Sequence, residues 1–196
     1  MGLIFRTAMK IAVEKTMPIL KIVSGGQTGA DQAALDWAIA NGFSHGGWCP
    51  AGRRSENGKI QEIYRLEETP ETKYQVRTAQ NVLDSDATVI FSIEPRLSGG
   101  SLLTRKIAEQ EGKPVLHLSR RTRGGESETS NTAEKLLDFI ENNQVAVLNV
   151  AGPRLSSEPD IEDFVKEMLD GLKKIRKQRR TNSRDEQSNQ GQQEGE

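Results

Sequence analysis

Residues 19–42, ILKIVSGGQTGADQAALDWAIANG, constrain the fold more than any other stretch of this chain. Ile19, Leu20, Ile22 and Val23 form a short, partly β-branched apolar run of the kind that fits a buried parallel strand. Ser24, Gly25 and Gly26 then remove side-chain bulk where the chain must turn sharply. Thr28 and Asp31 have capping-box spacing, which predicts a helix starting at Thr28. Ala33, Ala34, Trp37, Ala38 and Ile39 continue it at helical spacing, and Gly42 is placed to close it. The first N–H groups of such a helix lack partners and carry the partial positive charge of the aligned peptide dipoles. Bare backbone at Gly25 and Gly26 would let an anion approach them. A tight strand-to-helix connection with nothing bound would look the same, so this turn alone leaves both readings open.

The chain repeats the arrangement. Residues 87–93, ATVIFSI, read as the clearest strand, followed by a loop holding Ser98, Gly99, Gly100 and Ser101, then a helix over 102–111 closed by Gly112. Ser101 and Thr104 make a weaker capping pair. Between the two units, residues 46–50 read as a very short strand ending at Pro50, and 51–59 as a charged loop with Arg53, Arg54, Glu56 and an Asn57-Gly58 turn. Thr69-Pro70-Glu71 predicts a helix to about Asp84, with Tyr74, Val76, Ala79, Val82 and Leu83 on its buried side. A strand over 114–118 and a polar loop over 120–130 follow. Next come a helix capped by Asn131 and Glu134, a strand over 145–150, and a break at Gly152-Pro153-Arg154. The last helix starts at Ser157, Pro159 and Asp160 and carries Ile161, Phe164, Val165, Met168, Leu169, Leu172 and Ile175 on one face.

Strands alternating with helices predict an α/β fold, a Rossmann-like three-layer sandwich with a mainly parallel sheet. Right-handed crossovers would bring every strand-end loop to one edge, while the strand order stays open. Residues 1–16 read as an extension, with Met17 an alternative start; 17–176 form the domain. Residues 177–196 contain no apolar side chain and are expected to be a disordered polar tail.

A formal net charge of −1 gives no global attraction to nucleic acid, and no apolar run approaches bilayer length. The single cysteine, Cys49, excludes an internal disulfide framework and suits a reducing compartment, so a cytoplasmic protein is expected. The N-terminus is a poor signal peptide, and Arg6 stands where a myristoylation signal needs Ser or Thr. Cys49 with His45 and His117 does not make a protein metal site.

The segments SGGQTGADQAALDWA, GGWCPAGRRSENGKI, YRLEET, TVIFS with SGGSLLT, and NVAGPRLS, in this order, resemble the circularly permuted YpsA-like branch of the SLOG superfamily, whose members are labelled molybdenum-cofactor carriers. The resemblance covers about residues 19–172. It implies a Rossmann-like domain that binds a small phosphorylated ligand, either a nucleotide or the pterin of the molybdenum cofactor (molybdopterin), and that self-associates into a homo-oligomer. On the ligand side it places Ser24, Gly25, Gly26, Gln27, Thr28, Gly29 and Asp31 from the first turn, and Arg53, Arg54 and Glu56 from the second loop. Ser98, Gly99, Gly100, Ser101 and Thr104 come from the other glycine turn, and Arg154 and Ser156 from the last strand end.

Backbone amides with the Ser24, Thr28 and Ser101 hydroxyls would hold phosphate, and Arg53, Arg54, Arg96 and Arg154 are the available bidentate partners. Arg154 is the first choice because it directly follows a strand-end Gly-Pro. Asp31 either caps its helix, hydrogen-bonds a ribose or pterin group, or acts on a water; Glu56 carries the same choice. Trp48 serves as core or as a stacking platform. A second function class is open: phosphoribohydrolase-like cleavage of the N-glycosidic bond of a nucleoside monophosphate, with Asp31 and Glu56 the catalytic candidates. The lysine-decarboxylase-like, cytokinin-activating members of the superfamily that perform it carry GGxGTxxE. Here Gln32 and Lys106 stand at the two positions matching that glutamate, so the usual acid or base is missing.

Overall fold

The computed structural model describes residues 20–120 and 128–193. The expected extension 1–16, the strand start at Ile19 and most of the 120–130 loop lie outside them.

One five-stranded sheet organises the chain. It contains β1 (Lys21–Val23), β2 (Ser44–Gly46), β7 (Ala87–Ser92), β8 (Val115–Ser119) and β9 (Val147–Ala151) in the order β2-β1-β9-β7-β8, every pairing parallel. Every residue of β7 is buried, which is why its sequence is nearly continuous apolar rather than alternating. Two small pairs lie apart from the sheet: β3 (Trp48–Cys49) beside β6 (Glu67–Glu68), and the hairpin of β4 (Arg54–Ser55) and β5 (Gly58–Lys59). The expected single strand over 46–50 is thus divided. Gly47, at φ 124°, turns the chain, so Ser44–Gly46 joins the main sheet and Trp48–Cys49 leaves it.

The five helices are α1 (Ala30–Ala40), α2 (Tyr74–Leu83), α3 (Gly99–Gln110), α4 (Glu128–Asn142) and α5 (Ile161–Gln193). Helices α1, α4 and α5 pack together over one face with a large apolar cluster. The α5 stripe falls as its spacing predicts: Ile161, Phe164, Val165, Met168, Leu169 and Leu172 are all buried. At about 1.5–3 kcal/mol each, they contribute on the order of 10 kcal/mol before chain entropy is counted. The opposite face, under α2 and α3, is different. Those helices bury Thr78, Asn81, Ser101 and Thr104 but only Val82 and Ala108 among apolar residues. The layer is polar where it meets the sheet.

Several boundaries differ from expectation. Helix α2 starts at Tyr74 rather than near Pro70, because Thr69 turns back with its hydroxyl on the Glu71 carbonyl at 2.9 Å. Leu83, placed on its buried side, is 43% exposed. Helix α3 starts at Gly99, so the glycine pair forms its first turn rather than the loop before it. Helix α4 begins before Asn131, which is therefore not its cap. Helix α5 continues through Gln193, so 177–193, expected as a disordered tail, extend that helix. Arg179 braces it on α4 through Asp138 and Glu141 at 3.1 and 2.7 Å.

Candidate functional site

Strand order fixes where the site lies. From β1 the chain proceeds outward to β2, and from β7 it proceeds outward the other way to β8, with β9 between them. Loops leaving β1 and β7 therefore diverge and open a crevice beyond the carboxyl end of β9, the switch point at which open α/β sheets bind ligands. A cavity of about 830 Å³ sits there. It is lined by Gln27 from the β1 turn and Asp31 from the start of α1, by Glu94 and Arg96 through Ser98 from the β7 loop with Gly99 and Gly100 from the start of α3, and by Arg154 and Ser156 from the β9 loop. Helices α2 and α3 close it with Tyr74, Arg77, Thr78, Ser101 and Thr104.

The first turn is drawn tightly into the protein. Asp31 accepts the Gln27 N–H at 3.2 Å, Gln27 Oε1 accepts the Thr28 N–H at 3.1 Å, and Ala30 N–H reaches the Pro153 carbonyl at 3.3 Å. Asp31 reaches backward to Gln27 rather than Thr28, and the Thr28 hydroxyl goes to Glu56, so the expected Thr28–Asp31 capping pair does not form. The helix starts at Ala30 rather than Thr28, because Gly29 holds φ 80° and ψ −127°, outside the helical region. Ser24 donates to the Val150 carbonyl at 2.6 Å, away from the cavity lining. A Cβ at Gly25 would overlap the Arg77 guanidinium, and one at Gly26 would come within 2.5 Å of Leu66. The absent side chains at this pair admit the protein's own Arg77 and Leu66, so the bare cradle expected here is already filled. At Gly99 and Gly100 an added Cβ meets nothing within 4 Å, and no side chain caps the α3 N-terminus.

Arg77 escaped the sequence reading, although Tyr74, Arg77, Thr78 and Asn81 form a polar stripe at helical spacing. Asn81 pins that stripe in place, accepting the Trp48 N–H at 2.8 Å and donating to the Trp48 carbonyl at 2.9 Å. Arg77 then meets Asp31 at 3.2 Å. Burial pushes the Asp31 carboxyl above its ordinary range, and the Arg77 charge opposes that shift. Two buried donors at this end have no partner among the described residues: Arg77 Nε and Gln27 Nε2. Orphaned donors of this kind carry a desolvation penalty of about 1–3 kcal/mol that an acceptor atom would relieve.

The second loop does other work. Arg53, at φ 51°, is 4% exposed and donates to the carbonyls of Ile60, Gln61, Tyr64 and Leu66 at 2.8–3.0 Å. Its guanidinium organises the 53–66 segment and does not line the cavity. Arg54 is exposed on the β4–β5 hairpin and is also absent from the lining. Glu56 ties three loops together: it accepts from the Thr28 hydroxyl, and from the Ser156 hydroxyl at 2.6 Å, while its N–H reaches Gln27 Oε1 at 2.9 Å. Those hydroxyls hold its carboxyl below the ordinary range. Arg154 and Arg96 both line the cavity, and Arg154 lies over the Tyr74 ring at 5.3 Å. Glu158, also in the wall, accepts the Ile93 N–H.

Cys49 is fully buried, with its thiol pushed up chiefly by burial, and Trp48 donates from its indole to Asp84 at 2.7 Å. Among the described residues, no group of three or more His, Cys, Asp or Glu could hold a metal ion. No helix among them is long and apolar enough to cross a membrane.

Comparison with known proteins agrees with this architecture. Residues 22–173 match the circularly permutated YpsA SLOG family. The chain belongs to that family. A crystal structure from Syntrophus aciditrophicus SB, named as a candidate molybdenum carrier protein, is similar to this YpsA SLOG chain at 43% identity, with a TM-score of 0.74, over 79% of this chain and 96% of that one. Among curated proteins, none matches significantly.

Proposed function

We propose that this SLOG domain binds and carries a small phosphorylated ligand, the molybdenum cofactor or a nucleotide-like molecule, in the crevice beyond β9. One observation carries the reading: a polar cavity at the switch point has buried donors without partners, Gln27 Nε2 and Arg77 Nε, at one end, and an uncapped helix N-terminus at the other. An anion placed over α3 would gain the helix dipole and the exposed Arg96 and Arg154 guanidiniums. The phosphate turn of this reading is therefore Ser98–Ser101, with the β1 turn supplying the polar wall. Molybdenum held by its own pterin dithiolene needs no protein ligand, so the residues present fit that cargo. The name of the Syntrophus structure supports it. A soluble, reducing compartment suits the buried thiol of Cys49.

The hydrolase reading retains one supporting feature, a buried cavity-wall carboxyl, Asp31, whose pKa lies above the ordinary range as a general acid requires. One set of assays tests both. Purified protein is incubated with nucleoside monophosphates, with binding followed by calorimetry and free base by chromatography. The protein as isolated from cells is assayed for molybdenum and for oxidised pterin fluorescence. Saturable binding without base release, or co-purified pterin, supports the carrier. Base release that is lost in Asp31→Ala would replace it with the hydrolase, and the absence of any bound or binding phosphorylated compound overturns both.

A further inference from the structure

The way the ligand lies, which rests on the binding reading above, follows from how the cavity wall is graded. At its buried end stand Gln27 and Asp31, each 4% exposed, beside Arg77. At its exposed end stand Arg96, Arg154 and the first turn of α3.

The Gln27 amide cannot be turned round. Its Oε1 accepts two backbone N–H groups, from Thr28 at 3.1 Å and Glu56 at 2.9 Å, and a reversed amide would set NH₂ against both. The other side of the amide, Nε2, therefore offers N–H donors only, buried in the cavity wall and without an acceptor. Next to it, Asp31 and Arg77 cancel one another at 3.2 Å. A phosphate at this end would lose its water beside a carboxylate and gain no unbalanced cation. At the exposed end the same phosphate keeps part of its hydration and meets the α3 dipole. An uncharged acceptor suits the buried end, and an anion suits the exposed one.

We propose that the ligand enters ring first, its anionic group resting over α3, and that Gln27 selects rings presenting a carbonyl oxygen at the buried end. A ring with an amino group in that place would set N–H against N–H and leave both unpaired, the arrangement that discriminates most strongly in polar pockets. Gln27 is then the specificity-determining residue, and keto heads bind in preference to amino heads.

Calorimetric titration of the full chain with inosine 5′-monophosphate, adenosine 5′-monophosphate and ribose 5-phosphate tests this. The two nucleotides differ in a keto or amino group at one ring carbon and, with it, in whether the adjacent ring nitrogen carries a proton. Wild type should bind the inosine compound at least about tenfold more tightly than the adenosine compound. Gln27→Glu retains an acceptor for Thr28 and Glu56 while replacing the free donor with an acceptor, and it should abolish or reverse that preference. Thermal unfolding checks that the variant folds, and the wild-type comparison stands without it. Equal wild-type affinities overturn the inference, as does an unchanged preference in a folded Gln27→Glu. If ribose 5-phosphate binds in that case, phosphate binding survives and only the orientation falls. If none of the three compounds binds, the inference falls together with the nucleotide-like reading, and co-purified pterin alone then decides the carrier reading.

Discussion

Replacing Arg77 by methionine keeps most of the side-chain volume and removes the cation that faces Asp31. The pair is well enclosed: the side chains are 15% and 5% exposed, and the Nη1–Oδ2 separation is 3.2 Å. Breaking a buried pair by deleting one partner costs about 3–5 kcal/mol, because the remaining charge stays desolvated. In a domain of this size each kcal/mol lowers Tm by roughly 2–4 °C, so Arg77→Met should lose roughly 6–20 °C at neutral pH. The sign of the pH dependence follows from Asp31. Burial already raises its carboxyl above the ordinary 3.8, with Arg77 the largest opposing influence, so the variant raises it further. An acid whose folded pKa exceeds its unfolded value loses stability as pH climbs from the unfolded value through the folded one, and loses no more above it. The deficit of Arg77→Met should therefore be small near the ordinary 3.8 and widen as pH climbs through the raised folded value. Asp31→Asn in the same chain should restore much of it, since no charge is then left to desolvate. Thermal unfolding by circular dichroism at several pH values reads all three chains. A Tm deficit below about 2 °C throughout, or one that does not change with pH, would refute the claim that Arg77 neutralises a buried carboxylate.

Arg53→Lys should destabilise almost as much as Arg53→Ala, by about 3 kcal/mol in urea unfolding, because a single ammonium cannot serve four carbonyls in a planar fan. Glu56 behaves in the opposite sense to Asp31: its folded pKa lies below 4.5, so its contribution is present above that value and lost as pH falls through the depressed one. Glu56→Gln should accordingly lower Tm at neutral pH and converge on wild type in acid. Arg154→Ala should weaken ribose 5-phosphate binding by about tenfold in calorimetry, while leaving Tm nearly unchanged because the side chain is exposed.

The layered α/β plan was legible because β7, α1 and α5 carry periodicities that burial enforces. A strand covered on both faces reads as ATVIFS, and a helix on the sheet reads as the Ile161-to-Leu172 stripe. The convergence of the β1, β7 and β9 loops also followed from parallel pairing alone. The occupancy of each turn did not. Gly25–Gly26 and Gly99–Gly100 look equivalent as letters, yet a long-range partner, Arg77, fills the space over Gly25, while the space over Gly99 and Gly100 stays clear. Arginine roles were hidden for the same reason: Arg53 and Arg54 are neighbours in an apparently charged loop, but a positive φ at Arg53 turns its guanidinium inward onto four carbonyls. A cation's local composition says little about whether backbone acceptors will enclose it.

The middle strand of the sheet is the last to be synthesised. Until Val147–Ala151 emerge, the β1–β2 pair and the β7–β8 pair share no hydrogen-bonded edge, and the hydroxyl of Ser24 has to wait for a carbonyl 126 residues downstream. Closing that span is the slow, entropy-laden event in such a topology. It makes the two halves lock together in the same step that carves the crevice, so a chain cut short of β9 has no partial cleft: the cleft arrives with the keystone.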